Sequence, residues 1–529
     1  MAPLVARTPP RRSRRRPLVA AFVLALVAAA VPGTLAVARA RIVVEGPRSG
    51  AMISKAGLAS LGFYVRSPDV AMDRLRVYLD GSPMAGSADG DALLVAPIGL
   101  HDGRHWLAVE APGRLPFAAS RVTRSFTVDT SPPALSVSVS KVRSLHSALR
   151  ITGRVGSEGR LTADGQLVRL VGGRFQLNYR QPPAAVRLVA TDAAGNVTAR
   201  DIGIPVNHPP MRGVHLTAVA WSTGFLREPV LAMARAGRID TVEVDVKDEG
   251  GVVGYDSGVP LAQLTGAATP TYDVRTMLDE LHSMGVRVVG RIVCFRDPEL
   301  AQWAWSNGHR DWVIQGPDGA PYKSRYGEFS FTNFASPAVR QYNIDLATEA
   351  AQLGFDDILY DYVRRPDGAL TSMRFPGSRL PPEKEVADFV RASHGPVRAA
   401  GSYLGLSVFG IAVTRPSEIA QDVALLGRYA DYVAPMVYPS HWGRGEYGVA
   451  DPNASPYEIV RRSLADFHTK LAGSGTTVTP WLQDFSLGRH YGPEQVRAQI
   501  DAAAATGANG FLLWNASARY SAGALSAGS

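Results

Sequence analysis

Three aspartates of this 529-residue chain, Asp245, Asp361 and Asp484, each follow a short apolar run and lie among aromatic or basic residues. Two carboxyl groups can cleave a glycosidic bond, because one protonates the leaving oxygen while the other acts as nucleophile or as the base for water. Nearby tyrosines, tryptophans and amides suit sugar rings, whose faces stack on aromatic side chains and whose hydroxyls need polar partners. These residue types favour a saccharide site if the fold brings them together.

Ten further residues in the same neighbourhoods are candidates for binding a saccharide: Trp221, Lys247, Arg291, Tyr362, Arg364, Tyr438, His441, Trp442, Gln483 and Trp514. Each has an ordinary structural alternative. A lone aspartate at a strand end is more often a helix N-cap, His441 could orient a loop, and the tryptophans could fill a core. The functional interpretation therefore depends on the clustering of the candidates rather than on any one of them.

The elements that must position these residues lie between residues 211 and 516, where strand and helix patterns alternate eight times. Apolar strands are predicted at 214–220, 241–246, 286–293, 356–363, 404–409, 431–437, 477–482 and 509–514. Eight strand–helix units in about 300 residues match an α/β fold of the closed (β/α)8 type, a TIM barrel. An open doubly wound sheet is the alternative, but no glycine-rich phosphate loop follows the first strand. In a barrel, the candidates collect at the C-terminal strand ends, where active sites lie.

Strand two carries a charged row. Glu243, Asp245 and Lys247 alternate along it, so the pleat predicts that they share one face, pointing into the barrel or onto its rim. Buried charges need partners, and Arg291 in strand three is the predicted one.

The identity of the carboxylate pair stays open. Asp361, at the end of strand four, is the leading candidate for nucleophile or charge stabiliser, and Arg364 would hold it ionised if it folds back. Asp484, at the end of strand seven across the mouth, could be the acid, because aromatic neighbours would desolvate it and raise its pKa. Asp245 is the alternative second carboxylate. A separation of about 5 Å would indicate retention of configuration, and about 6.5–9.5 Å inversion.

Four segments in order carry a resemblance: residues 244–248 (VDVKD), 355–364 (FDDILYDYVR), 435–442 (PMVYPSHW) and 480–484 (PWLQD). They resemble the bacterial TIM-barrel family described as a "putative glycosyl hydrolase domain", over about residues 211–516. The resemblance implies Asp361 as the leading catalytic carboxylate, with Asp245, Tyr438, His441 and Asp484 lining the cleft. Many retaining barrel glycosidases have glutamates after strands four and seven, whereas the candidates here are aspartates.

The N-terminal region is predicted to be a targeting segment followed by two β-domains. Residues 1–40 contain an arginine-rich start, an apolar run and the motif Ala36-Val37-Ala38, as in a secretory signal. An uncleaved anchor over residues 18–38 is the alternative. Either one predicts export, so that the protein is secreted, periplasmic or at the cell surface. Residues 41–130 and 131–206 resemble bacterial Ig-like sandwiches, with turns at Asp80-Gly81 and Asp164-Gly165. Residues 517–529 are predicted to be a disordered tail.

Composition excludes several classes of protein. With 46% hydrophobic and 19% charged residues, the chain can bury real cores. Six of the nine excess positive charges precede residue 39, and the remaining +3 gives no basic surface for nucleic acid. The single cysteine, Cys294, excludes a disulfide framework and a thiolate zinc cluster.

The sequence therefore predicts an exported glycoside hydrolase acting on a polysaccharide or oligosaccharide. The alternative is a non-catalytic carbohydrate-binding or envelope-associated protein with a degenerate barrel. No cofactor or metal is expected, because a metal-dependent deacetylase would need a His/Asp ligand set and His441 is the one well-placed histidine. Contact with a membrane is expected through the N-terminal segment alone, if it is uncleaved. The oligomeric state and the sugar are not predicted.

Overall fold

The computed structural model describes residues 39–113, 119–156 and 159–526. The chain forms two compact units. The first contains the described residues up to Ser136 with Gly153–Phe175 and Leu188–Arg200, and the second contains Val137–Thr152, Gln176–Arg187 and the residues from Asp201 onward. The predicted leader lies almost wholly outside the described residues. Within the described ranges, no helix is both long enough and apolar enough to cross a membrane.

The region before residue 204 is built from β-sheets, as predicted. Its strands are β1 Val43–Glu45, β2 Ala51–Ile53, β3 Phe63–Arg66, β4 Arg76–Leu79, β5 Ser82–Met84, β6 Ser87–Asp89, β7 Ala92–Val95, β8 Gly103–Ala111, β9 Ser120–Val128, β10 Leu135–Val139, β11 Leu149–Val155, β12 Gly159–Ala163, β13 Gln166–Val168, β14 Arg174–Tyr179, β15 Ala185–Asp192 and β16 Val197–Gly203, with a short helix α1 at Lys55–Leu58. They pair in the orders β1-β3-β7-β6, β2-β9-β8-β4-β5, β10-β11-β14 and β13-β12-β15-β16.

Two tight hairpins confirm the predicted turn dipeptides. Asp80 and Gly81 have φ values of 50° and 86°, and they join β4 to β5 with Leu79 opposite Ser82. Asp164 and Gly165 join β12 to β13 in the same way, with φ values of 48° and 81°. A two-residue turn with both residues at positive φ matches the twist of the flanking strands, which is why Asp-Gly is favoured there.

The barrel contains strand and helix in alternation. Its strands are β17 Met211–Leu216, β18 Thr241–Lys247, β19 Arg287–Val293, β20 Asp357–Asp361, β21 Tyr403–Phe409, β22 Tyr432–Met436, β23 Thr477–Val478, β24 Trp481–Gln483 and β25 Gly510–Trp514. Its helices are α2 Ala218–Ser222, α3 Gly224–Arg235, α4 Pro260–Thr265, α5 Val274–Ser283, α6 Pro298–Ser306, α7 Pro337–Leu353, α8 Pro382–Ala399, α9 Val423–Leu426, α10 Pro456–Leu471 and α11 Pro493–Ala505.

The strands close into a ring of parallel pairs, so the TIM-barrel prediction is confirmed. β17 pairs with β18 on one side and with β25 on the other. Strand seven of the ring is in two pieces, β23 and β24, because Pro480 between them has no N–H to donate to the ladder. The lumen is packed with side chains: a Cβ on Gly405 would lie 2.1 Å from the ring of Tyr432.

The N-terminal end of the ring is closed by His208, which lies between the predicted β-domains and the predicted barrel. Its imidazole forms a 2.6 Å hydrogen bond with Asp357, the first residue of β20, and its ring lies 4.4 Å from that of Tyr432. Arg287 also donates to Asp357, at 2.6 Å. Burial raises the pKa of Asp357, but its contacts with His208 and Arg287 lower it below its usual value.

Two boundary predictions are wrong. Strand one ends at Leu216 rather than at residue 220, because the Thr217 side chain accepts a hydrogen bond from the N–H of Ala220 and caps helix α2. The C-terminal tail, expected to be disordered from residue 517, packs on the barrel through residue 526. Its Tyr520 hydroxyl hydrogen-bonds the backbone of His215, and its Leu525 is buried.

Candidate active site

A cavity of about 560 Å³ opens at the C-terminal ends of the barrel strands. Its charged and polar lining consists of Glu249, Asp361, Asp367, Arg291, Arg325 and His441. Its aromatic lining consists of Tyr326, Tyr362, Phe409, Tyr438, Trp442, Trp481 and Trp514. Of the residues expected at this mouth, the structure therefore brings seven to the cavity surface: Arg291, Asp361, Tyr362, Tyr438, His441, Trp442 and Trp514.

Asp361 is the last residue of β20, and its carboxylate is fixed by three donors. Its Oδ2 accepts from Nε of Arg291 at 3.0 Å and from Nη2 at 2.6 Å. Its Oδ1 accepts from the N–H of Tyr362 at 2.7 Å. Tyr362 has a φ of 48°, an unfavourable left-handed conformation for a residue with a side chain. Such strain persists where the surroundings enforce it, often at functional sites.

Arg291 in β19 is the hub of the site. Its guanidinium donates from Nη1 to Oδ1 of Asp245 at 2.8 Å and from Nη2 to Oε1 of Glu249, besides Asp361. It also lies 5.2 Å from the ring of Trp514. Burial lowers the pKa of Arg291, but the surrounding carboxylates raise it well above its usual value, so the guanidinium stays charged. As predicted, Arg291 pairs with a charged residue of strand two, namely Asp245.

Glu249 was not predicted from the sequence. It lies in the turn after β18, which is held by Asp248: the Asp248 carboxylate accepts from the N–H groups of Gly250 and Val252. Burial raises the pKa of Glu249, but Arg291 lowers it to about 2. Acidic residues immediately after the second strand were the available signal, since loops at this end of a barrel carry functional groups.

Asp245 lies beneath Arg291, in a buried cluster with Glu243 and His215. The Nδ1 of His215 is 2.6 Å from Oε2 of Glu243, and its Nε2 is 3.9 Å from Oδ2 of Asp245. Burial raises the pKa of Asp245 to about 7 despite Arg291, and raises that of Glu243 well above its usual value. Burial lowers the pKa of His215 to about 4. One nitrogen or oxygen from each residue lies within 4.8 Å of the others, close enough to hold a metal ion.

Lys247 does not share a face with Asp245, so this prediction is wrong. The register between β18 and β19 shifts between the two residues, and the extra residue of this β-bulge reverses the alternation. The Lys247 ammonium is buried, where it donates to Asp297 at 2.6 Å and to Asn343 at 2.9 Å. It therefore ties β18 to the surrounding helices, away from the cavity.

Asp484 and Gln483 have structural partners. The Asp484 carboxylate accepts from the N–H and the hydroxyl of Ser521, at 2.7 and 2.8 Å, and burial raises its pKa. The Gln483 amide accepts from the N–H of Ser440 and donates to the carbonyl of Phe485. Both side chains therefore fasten loops around the mouth, and the cavity lining does not include them.

Arg364 and Trp221 also lie elsewhere than expected. Arg364 does not fold back onto Asp361. Its buried guanidinium packs 4.3 Å from the ring of Phe409 and donates to the carbonyl of Arg365. Trp221 lies within helix α2 rather than at a strand end, and it is buried in the core between barrel and helices. Arg291, rather than Arg364, is the arginine that donates to Asp361.

The aromatic walls are held rigidly. Trp481 and Trp514 are perpendicular, with ring centroids 5.6 Å apart, and the Trp481 indole N–H donates to Ser407 at 2.9 Å. The Tyr438 ring meets that of His441 edge to face at 5.2 Å. Flat rings beside carboxylates form an amphipathic surface, which is the kind that holds sugars by stacking and by hydroxyl contacts.

Carboxylates and aromatic walls in the C-terminal mouth of a (β/α)8 barrel are features that barrel glycoside hydrolases use to bind and cleave sugars. The profile of the family described as "putative glycosyl hydrolase domain" matches residues 213–520, which is more than half of the chain. The chain belongs to this family, as its sequence motifs indicated.

Several solved structures are similar to this chain. The PgaB (BpsB) glycoside hydrolase domain from Bordetella bronchiseptica is 14% identical over 59% of this chain and 95% of its own, with a TM-score of 0.44. The spore cortex-lytic enzyme SleL from Bacillus megaterium QM B1551 is 11% identical over 61% and 75%, with a TM-score of 0.36. A hypothetical protein from Ruminiclostridium thermocellum ATCC 27405 is 27% identical over 36% and 96%, with a TM-score of 0.32. No curated protein matches the chain significantly.

Proposed function

We propose that the protein is an exported glycoside hydrolase that cleaves a polysaccharide or oligosaccharide in the cavity at the C-terminal end of the barrel. The observation that carries the proposal is that two carboxylates, Asp361 and Glu249, line one cavity and bind the same guanidinium nitrogen, Nη2 of Arg291. Glycosidic cleavage needs two carboxyl groups near one bond. Export is proposed from the leader-like composition of residues 1–40.

The spacing of the pair favours retention of configuration. Because Oδ2 of Asp361 and Oε1 of Glu249 bind one nitrogen, they lie within roughly 6 Å of each other, two N–O hydrogen-bond lengths. Retaining glycosidases have carboxyl groups about 5–5.5 Å apart, whereas inverting enzymes leave about 6.5–9.5 Å for a water molecule. We therefore expect a double displacement through a covalent glycosyl–enzyme intermediate.

Asp361 is the proposed nucleophile. Its three donors, two from Arg291 and one from Tyr362, hold both carboxylate oxygens in place at the cavity surface. This role was expected of Asp361 from the sequence. The proposed partner differs from both sequence candidates, because Asp484 is bound to Ser521 and Asp245 lies under Arg291.

Glu249 is the proposed acid and base. In the free cavity it is ionised, because attraction to Arg291 outweighs the effect of burial and sets its pKa at about 2. A saccharide that separates Glu249 from Arg291 would leave burial as the dominant influence, and burial raises the pKa of a carboxyl group. The substrate itself would thus convert Glu249 to the protonated form that the leaving oxygen needs.

A second candidate function is saccharide binding without hydrolysis. The observation that favours it is the ion pair between Glu249 and Arg291, which leaves the cavity without a protonated carboxyl group on this residue. A protein of this kind would bind the same saccharides and release no reducing ends.

The test is a screen of the purified protein against cell-wall and storage polysaccharides, with reducing ends as the readout. Asp361→Asn should abolish hydrolysis while binding persists, and Asp484→Asn, a buried rim carboxylate fixed by Ser521, is the matched control that should stay active. Proton NMR of the first product should show the anomeric configuration of the substrate. Full activity in Asp361→Asn would refute the assignment, and binding without cleavage would support the second candidate.

A further inference from the structure

Three buried polar atoms beneath Arg291 have no hydrogen-bond partner among the described residues: Nε2 of His215, Oε1 of Glu243 and Oδ2 of Asp245. The exposed fractions of these residues are 1%, 0% and 1%. Buried polar atoms are nearly always paired, so three unpaired atoms on two adjacent strands require an explanation. The proposed hydrolysis uses none of these atoms.

Other contacts of the same side chains hold the three unpaired atoms in place. His215 is held by its Nδ1 contact with Oε2 of Glu243, and its ring stacks on Trp514 with centroids 4.2 Å apart. Asp245 is held through Oδ1 by Arg291. In metal sites, a histidine commonly forms a hydrogen bond to a carboxylate through one ring nitrogen, and this bond orients the other ring nitrogen toward the metal ion.

The distance between the unpaired atoms of His215 and Asp245 suits coordination of a shared metal ion better than a hydrogen bond. Nε2 of His215 and Oδ2 of Asp245 are 3.9 Å apart, too far for a direct hydrogen bond. Two coordination bonds of about 2.0–2.2 Å can bridge this gap.

The charge of the cluster also favours a bound cation. Four carboxylates, those of Glu243, Asp245, Glu249 and Asp361, lie within 4 Å of the single guanidinium of Arg291. One guanidinium can balance one ionised carboxylate, so the buried carboxyl groups of Glu243 and Asp245 are either protonated or paired with a second cation. A bound divalent cation would be the largest positive charge in such a site.

We propose that Nε2 of His215 and Oδ2 of Asp245 bind a divalent transition-metal ion of the zinc or manganese type beneath the cavity floor, with Glu243 orienting the imidazole. Imidazole nitrogen is a ligand for such ions rather than for calcium or magnesium. The ion would hold Asp245, and through it Arg291, in position. This site does not depend on the proposed hydrolytic function.

The test uses the full chain and needs no substrate. Metal-free protein, prepared by dialysis against a chelator, is titrated at pH 7.5 with Zn²⁺ and with Mn²⁺ in a calorimeter. One equivalent of at least one ion should bind. Asp245→Asn should weaken binding at least tenfold, and Asp484→Asn, which removes a buried carboxylate outside the cluster, should not.

X-ray absorption of the loaded protein should show imidazole coordination that His215→Gln removes and His441→Gln keeps. This second measurement separates the site from adventitious binding at the exposed histidine of the cavity. Absence of a bound equivalent of either ion in the wild-type protein would overturn the proposal. Equal affinity in Asp245→Asn, or imidazole coordination that survives His215→Gln, would overturn it as well.

Discussion

Replacing Glu249 by glutamine should destabilise the protein at neutral pH and much less in acid. Burial raises the pKa of Glu249, but Arg291 lowers it from its usual 4.5 to about 2. At about 1.4 kcal/mol for each pKa unit, the ionised carboxylate contributes about 3 kcal/mol to the free energy of unfolding. Because the pKa in the folded state is the lower one, this contribution is complete above pH 4.5 and is lost as the pH falls toward about 2.

Urea unfolding followed by tryptophan fluorescence can measure the effect, because seven of the eight tryptophans follow residue 210, Trp106 being the exception. Glu249→Gln should lower the free energy of unfolding by about 3 kcal/mol at pH 7, and by less than about half of that at pH 3. Glu458→Gln is the matched control. Hydrogen bonds from Arg461 and Arg462 also lower the pKa of Glu458 to about 2, but these arginine side chains are 42% and 38% exposed, against 1% for Arg291, so solvent screens the ion pairs of Glu458. A loss that is the same at both pH values, or no larger than that of Glu458→Gln, would refute the argument that Arg291 holds the charge of Glu249.

Three other substitutions test the framework around the site. Arg291→Met should lower the free energy of unfolding by about 3–5 kcal/mol in urea unfolding, because it leaves buried carboxylates without their cation; an unchanged stability would contradict the hub role. Trp514→Leu should raise the KM for a verified oligosaccharide by up to about tenfold with little change in kcat, since it removes a stacking surface, and an unchanged KM would count against sugar contact at this wall. His208→Ala should cost about 2 kcal/mol of unfolding free energy, because Asp357 loses a buried charged hydrogen bond; this loss should appear without any change in kcat.

The fold was predictable because its signals are local. Eight apolar strands separated by helices specify a barrel, and helix α7 carries the local signals of a helix start and end, with Pro337 in its first turn and Gly354 in the left-handed region after it. Helices α4 and α6 were not predicted, since they lie in the long loops after strands two and three. Loop structure depends on tertiary contacts, which no periodicity records.

The sequence predicted those site residues whose position follows from the end of a barrel strand. Asp361 and Trp514 face the cavity because each ends a barrel strand, and Arg291 reaches it from the neighbouring strand. Lys247 illustrates the limit: one extra residue in the strand reverses the side-chain direction, and nothing in the strand's own composition marks the bulge. Asp484 illustrates a second limit, because its partner Ser521 lies in a segment that resembles a disordered tail.

The closure by His208 gives the barrel a sealed base. The carboxylates line a cavity at the opposite end, so we expect a cleaved product to leave by the opening through which its precursor entered. The position of His208 also matters for choosing the boundaries of a truncated protein, because the family match begins at residue 213, five positions after this histidine. A chain trimmed to that boundary would uncover Asp357 and Tyr432 at its base, and a soluble catalytic fragment should start upstream of residue 208.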